Sequence, residues 1–344
     1  MKYLNRLSIV ILVIAAAIGV FLWQRHTGGP VTKKSLTTVT LALDWTPNTD
    51  HTGVYTALAK GWYKEQGIDL KILPYSSTVY VSTLLDSKKA DIGIMTTEDV
   101  VAEAAAGRPL VEIGSLLQHN PSGLIVRQDS GITSPRGLDG KIYGGFGSPV
   151  ADAIVKSAIK YDGGQGQFQN VVLNIEAMQA LESKKIDFVW GFEGWELMEA
   201  KKDGIKTNFF PITSYGVPDA PTLAFSVTPD KLKKDGDLLK RFITATARGY
   251  EDAVKNPHAD AQLLINDAPK GTFPDTALVF DSQTFVSTQY TNKAGQWGIQ
   301  DPKAWANYAQ FILDTGTVSD SANKPVKSLN FAPLYTNQYV TSAR

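Results

Sequence analysis

The chain has no cysteine. That absence excludes disulfides, thiolate zinc sites, iron–sulfur clusters, cysteine nucleophiles and a lipid-modified cysteine. Histidine is nearly as scarce, with four residues in 344, too few for a His-rich metal centre. Neither a His-Glu-x-x-His site nor a nucleophile elbow occurs. Neither sign of charge is in excess, because Lys plus Arg and Asp plus Glu both total 34. Three of those bases, Lys2, Arg6 and Arg25, lie in an apolar N-terminal stretch without an acid, so the rest of the chain is net negative by three. A nucleic-acid partner would need a basic footprint, and this balance does not supply one. No catalytic set, metal or cofactor is expected. What the chain does have is apolar material: 43% hydrophobic residues and only 20% charged ones, enough for a core divided between two lobes.

The apolar run from Leu7 to Trp23 comes close to the hydrocarbon thickness of a bilayer, at the short end of the spanning range. Trp23 followed by Arg25 suits an interfacial anchor. The alternative is a signal peptide cut near Ala15, Ala16 or Ala17, which would leave Ile18 to Trp23 as an awkward apolar terminus. The Gly- and Pro-containing stretch from Gln24 to Ser35 reads as a tether. Residues 1–35 are thus taken as a membrane anchor or signal segment plus tether; the flanking charges do not set its orientation.

From Val39 onward, short β-rich runs alternate with helical stretches. Strands are expected at Val39–Leu43, Ile68–Ile72, Asp91–Ile94, Leu110–Leu117 and Leu124–Val126. A second set falls at Lys141–Tyr143, Val171–Leu173, Asp187–Trp190 and Leu223–Val227. Helices are expected between them, and the C-terminal part is mainly helical, with single helices over Lys231–Lys255 and Pro274–Tyr290. The pattern predicts an α/β protein with mostly parallel sheets and two αβ lobes.

In open α/β sheets ligands bind beyond the C-terminal ends of the strands. Four segments occupy such positions: Asp44–His51, Met95–Asp99, Gly144–Ser148 and Gly191–Trp195. The first concentrates Asp44, Trp45, Asn48 and His51 directly after a strand; Asp50 or Thr52 could serve only as a helix cap. The turn Gly144, Gly145, Phe146, Gly147 and Ser148 lets backbone N–H groups approach a ligand, and Ser148 also suits a helix N-cap. In the last segment Glu193 stands between glycines, flanked by Trp190 and Trp195. A carboxylate beside aromatic surfaces suits a flat, nitrogen-rich ring, which stacks while the oxygens accept from its amino group. The same acid disfavours a sulfonate or nitrate.

The runs Leu43-Asp44-Trp45-Thr46-Pro47-Asn48 and His51-Thr52-Gly53, with Lys60-Gly61-Trp62-Tyr63-Lys64-Glu65-Gln66-Gly67, Gly107-Arg108-Pro109-Leu110 and Gly191-Phe192-Glu193, resemble a group of solute receptors. These bind thiamine-pyrimidine precursors, formylaminopyrimidine or hydroxymethylpyrimidine, for ABC importers. The resemblance implies a periplasmic-binding-protein-like type II fold, with crossings between lobes placed near Val126–Ser130 and Pro221–Val227. It implies that residues 36–126 and 227–344 form one lobe and 127–226 the other, in a body outside the cytoplasm. It also implies ligand contacts from Asp44, Trp45, Asn48 and His51 in one lobe and from Gly144–Ser148 and Glu193 in the other. The implied partners are an aminopyrimidine and the importer's permease and ATPase, with the receptor acting as a monomer. The superfamily also contains hydroxymethylpyrimidine phosphate synthases, which use a lysine aldimine of pyridoxal phosphate and a histidine. Those places are held here by Met95 and Asp99. A thioether forms no aldimine, so Met95 is expected to act as a hydrophobic pocket wall and the chain as a non-enzyme. Receptors for sulfonate, taurine, nitrate or a riboflavin-like heterocycle, and a tethered sensory domain, are the other readings.

Overall fold

The computed structural model describes residues 35–173 and 177–341. The expected anchor and nearly all of the tether lie outside the described residues. Among those described, no helix is long and apolar enough to cross a membrane.

Among the described residues ten strands form two five-stranded sheets of matching plan. Strands β1 (Thr37–Ala42), β2 (Ile68–Leu73), β3 (Ile92–Met95), β4 (Val111–Leu117) and β10 (Thr222–Val227) make the first, in the order β2-β1-β3-β10-β4. Strands β5 (Ser122–Arg127), β6 (Ile142–Gly145), β7 (Gln169–Val172), β8 (Phe188–Phe192) and β9 (Thr207–Pro211) make the second, ordered β7-β6-β8-β5-β9. In each sheet one strand runs against its neighbours: β10 is antiparallel to β3 and β4, and β5 to β8 and β9. These two are the strands on which the chain enters each sheet from the other. The rest obey the parallel expectation, because a helix between successive strands returns the chain to the same edge.

The sheets place the exchanges earlier than the sequence suggested. The chain leaves the first sheet after Leu117 and joins the second at Ser122; it leaves the second after Pro211 and rejoins the first at Thr222. The expected crossings near Val126–Ser130 and Pro221–Val227 therefore shift to residues 118–121 and 212–221. Ser122–Val126 moves to the second lobe and Thr222–Ser226 to the first. Both β5 and β10 are buried along almost their whole length, so no alternation marks the sheet to which they belong. One strand, β9, was not expected. Two helices, Pro229–Lys234 and Gly236–Lys255, replace the single one expected over Lys231–Lys255, and Pro274–Tyr290 contracts to Thr276–Val286 with a 3-10 turn at Ser287–Gln289.

Burial drives both lobes. Leu41, Ile94, Phe225 and Phe242 are fully enclosed in the first, Leu124, Val126, Tyr143 and Phe188 in the second. The first lobe depends on one close contact between helices. A Cβ at Gly249 would stand 1.8 Å from the carbonyl oxygen of Gly53, and one at Gly53 would enter the Tyr250 ring at 2.3 Å. Glycine at both positions lets helix Gly236–Lys255 press against helix Thr52–Ala59, beneath the turn that carries Asn48 and His51.

Candidate ligand-binding site

The segment after β1 is held by its own side chains. Asn48 caps the 3-10 turn Thr49–His51, its Oδ1 accepting from the Asp50 N–H at 2.9 Å. In return, His51 Nδ1 accepts from the Asn48 N–H at 3.2 Å. Because Nδ1 accepts, the neutral ring carries its proton on Nε2, which donates to Asp44 Oδ1 at 2.9 Å. His51 is wholly buried; it aims Asp44 and does not reach the cleft. The carbonyls of this buried turn find hydroxyl donors in the C-terminal part of the chain: Tyr290, just past the 3-10 turn Ser287–Gln289, donates to Thr49, and Tyr250 of helix Gly236–Lys255 donates to Asp50 at 2.7 Å. Capping thus falls to Asn48, which frees the Asp50 carboxylate.

A chamber of about 240 Å³ opens between the lobes. The first lobe lines it with Asp44, Trp45, Asn48, Asp50, Thr96, Glu98, Asp99 and Leu223, and the second with Phe146, Ser148, Trp190, Phe192, Trp195 and Glu196. Five carboxylates and five aromatic residues face it, and no lysine or arginine does among the described residues. Trp45 is braced by Tyr75, with centroids 5.2 Å apart, and meets Phe146 edge-on at 5.9 Å. Trp190 is held through its indole N–H, which donates to Ser122 Oγ at 2.8 Å; that hydroxyl donates to Asn120 Oδ1 at 2.6 Å. The Asn120 N–H then donates to Asp219 Oδ1 at 2.9 Å. Asn120 and Asp219 lie on the two crossings, so this ring is tied to the hinge. Leu223 adopts φ +55° on the returning strand, a left-handed conformation that costs a branched residue energy.

Burial raises four of these acids. It pushes Asp50 up to about 7, with repulsion from Asp44 and Glu196 adding to it. Burial, with Glu98 alongside, raises Asp99 to about 7; its side chain is open to cleft water, which softens that rise. Glu98 and Glu196 are raised by burial as well, although Glu196 Oε2 accepts from the Phe192 N–H at 2.8 Å. A chamber with this lining favours a guest that brings N–H donors or positive charge.

Of the residues picked from the sequence, Asp44, Trp45, Asn48, Phe146, Ser148, Trp190 and Trp195 line the chamber. Ser148 also caps helix Pro149–Tyr161, accepting from the Ala151 N–H at 3.3 Å. Gly144 and Gly145 end β6 with no room for a side chain, Gly147 turns the chain at φ +77°, and none of the three faces the chamber. Met95 departs from the pocket-wall expectation. It is 4% exposed in the core at the end of β3, and Thr96 takes the lining position. Glu193 does not line the chamber; its N–H donates to the Pro121 carbonyl at 2.9 Å, and Glu196 faces the cavity instead. Asp50, Glu98, Asp99 and Glu196 were missed as site residues. Their common signal was a run of acids just beyond strand ends.

A family model described as NMT1/THI5 like matches residues 48–260, more than half of the chain. The chain belongs to that family. Relatives of this NMT1/THI5-like protein include a formylaminopyrimidine-binding protein of Halalkalibacterium halodurans, 25% identical over 295 residues that cover 85% of this chain and 89% of the relative. A 4-amino-5-hydroxymethyl-2-methylpyrimidine phosphate synthase of Legionella pneumophila is 28% identical over 266 residues, covering 75% and 83%. Among solved structures, the periplasmic sulfonate-binding protein SsuA of Methylobacillus flagellatus superposes with a TM-score of 0.61 at 16% identity, covering 90% and 94% of the two chains. The fold is that of the type II periplasmic binding proteins, the fold of ABC-importer solute receptors.

Proposed function

We propose that this protein is an extracytoplasmic receptor that captures an aminopyrimidine between its lobes and delivers it to an ABC permease. One observation carries the reading: among the described residues the chamber is lined by acids and rings without a lysine or arginine. A sulfonate, nitrate or phosphate placed there would meet only like charge. A flat aminopyrimidine would stack on Trp45 and Trp190, and its amino group and protonated ring nitrogen would donate to Asp44, Asp50 and Glu196. Because most of the acids and most of the rings lie on opposite lobes, such a guest gains most contact when the lobes close, and so selects the closed population. The formylaminopyrimidine-binding relative supports the ligand class.

The synthase relatives raise a pyridoxal phosphate reaction as the competing reading. The chamber does not fit that cofactor. Its aldehyde needs a lysine amine, whereas Met95 is buried in the core and no lysine lines the chamber among the described residues. Its phosphate would face five carboxylates. Absorbance spectra of the protein mixed with pyridoxal phosphate are expected to show no aldimine band.

The ligand assignment is tested by thermal unfolding of the full chain with added solutes. Saturation at about 100 times Kd adds roughly 2.7 kcal/mol, about 5 °C in a chain of this size. We expect that rise with 4-amino-5-hydroxymethyl-2-methylpyrimidine or its formylaminomethyl analogue and none with taurine or nitrate. The reverse ranking rejects the assignment.

A further inference from the structure

The chamber has a neighbour. A second cavity, about 380 Å³, is lined in part by Trp45, Phe146, Trp190, Trp195 and Glu196, all of which also line the first. Its far side is built by helix Glu196–Lys202, by Asp203 and by the segment Thr272–Leu278 of the first lobe. The inner chamber alone falls below the roughly 300–1,000 Å³ of typical small-molecule sites, and the two together fall within that range.

The outer chamber is also negative, through a different set of groups. Glu199 and Asp203 line it beside Glu196. Its one base among the described residues, Lys202, is already paired with Asp275 at 3.0 Å. Glu199 makes no side-chain hydrogen bond or ion pair among the described residues, and burial together with Glu196 and Asp203 raises it to about 7. The same cavity is lined by Trp195 and Phe273, in edge contact at 6.1 Å. Unpaired carboxylates and aromatic rings in one cavity form an environment that recognises an organic cation, by charge and by the ring quadrupole.

We propose that the outer chamber is a subsite for a cationic substituent on the heterocycle held in the inner chamber, so that the preferred ligands are pyrimidines bearing an ammonium group. This rests on the aminopyrimidine reading and extends it. Ring and substituent divide the work: the inner acids read the ring's N–H edge, and Glu199 and Asp203 read the charge beyond the shared aromatic wall. A neutral substituent of the same size would fill the space without offsetting the cost of drying those acids.

Titration calorimetry of the full chain at neutral pH with two probes separates the levels of the argument. The probes are 4-amino-5-aminomethyl-2-methylpyrimidine, whose side arm is an ammonium, and 4-amino-5-hydroxymethyl-2-methylpyrimidine, whose side arm is neutral. The ammonium compound is expected to bind about 10-fold more tightly. Glu199→Gln is expected to remove most of that advantage and to leave the hydroxymethyl compound within about twofold. Asp203→Asn, a second variant on the same face, is expected to act in the same direction. Equal binding of the two probes, or equal weakening of both by Glu199→Gln, overturns the subsite while leaving the pyrimidine assignment intact. Binding of neither probe removes the assignment and the subsite together.

Discussion

The first lobe brings Asp44, Asp50, Glu98 and Asp99 to the chamber with one large ring, Trp45, while the second brings Phe146, Trp190, Phe192 and Trp195 with one acid, Glu196. The two sheets have the same strand order, with one antiparallel strand in the same position of each. The scaffold is duplicated and the chemistry is not. The difference follows from what ends the strands: β1 and β3 run into polar turns and an acidic helix start, β6 and β8 into glycine and aromatic residues. Neither lobe alone offers a complete site. On one lobe burial raises Asp50, Glu98 and Asp99, whereas the other leaves apolar ring surface along the chamber. A ligand with a donor edge and a flat face relieves both.

The acid-bearing lobe rests on the closest glycine-to-backbone approach among the described residues, 1.8 Å at Gly249 against 2.6 Å at Gly123 in the ring-bearing lobe, and breaking it should have the largest effect. At Gly249 an added Cβ meets a backbone oxygen of Gly53, which cannot move without displacing the Asn48–His51 turn. Gly249→Ala is expected to lower stability by about 3 kcal/mol, the upper range for overpacking. In the second lobe, Gly191→Ala meets the Glu196 Cβ at 2.9 Å and the Ile125 Cδ1 at 3.0 Å, both side-chain atoms, and should cost about 1 kcal/mol. Urea unfolding of the two variants would show the contrast, and equal losses would remove it.

The ring lobe is probed by Trp190→Ala. Loss of one stacking surface should weaken aminopyrimidine binding by about 2 kcal/mol, within the roughly 1–3 kcal/mol typical of base–aromatic stacking. It also breaks the link from ring to crossing through Ser122 and Asn120. Calorimetry that found an unchanged Kd would place the ligand elsewhere.

Asp50 probes the acid lobe through pH. Its folded pKa, about 7, lies above the ordinary carboxylate value of 3.8, so the folded state binds the proton more tightly than the unfolded one. The penalty for ionising it is full above about 7. It is relieved as pH falls toward the unfolded value, so stability should rise on acidification across that window. Asp50→Asn should stabilise the ligand-free protein by roughly 1–2 kcal/mol at about pH 8, less than the full shift implies because the chamber admits water. It should also flatten the slope between about pH 7 and pH 4. Melting curves across that range would reveal the opposite slope if the fold favoured the ionised form of Asp50.

The strand rhythm and the rim residues Asp44, Trp45, Asn48 and Trp190 were legible because a buried strand that ends in polar or aromatic text marks itself. The sheet to which a strand belongs was not legible. Ser122–Val126 and Thr222–Val227 are enclosed on both faces, and enclosure carries no address. Strand β9 was hidden by its half-buried text and terminal proline, both consistent with an edge. His51 was recognised by type but not by role, since spacing cannot distinguish a ligand contact from the residue that aims Asp44. The acids Glu98 and Asp99 resembled an ordinary helix start favoured by its dipole; only the lobe folded opposite makes them part of a chamber.

Glu193 and Glu196 give the smallest and sharpest test. Both follow β8, three residues apart, and the sequence favours Glu193 because it stands between glycines. In the folded chain Glu196 faces both cavities, while Glu193 is half-buried at the crossing with its carboxyl raised by burial. Glu196→Gln should weaken aminopyrimidine binding by about 10-fold, about 1.4 kcal/mol. The amide oxygen can still accept from Phe192, so the fold should survive. Glu193→Gln should change Kd by less than about twofold, under about 0.5 kcal/mol. If the two results were exchanged, the ring-bearing lobe would present its acid from the strand end and not from the helix, and the division of labour between the lobes would have to be drawn around Glu193.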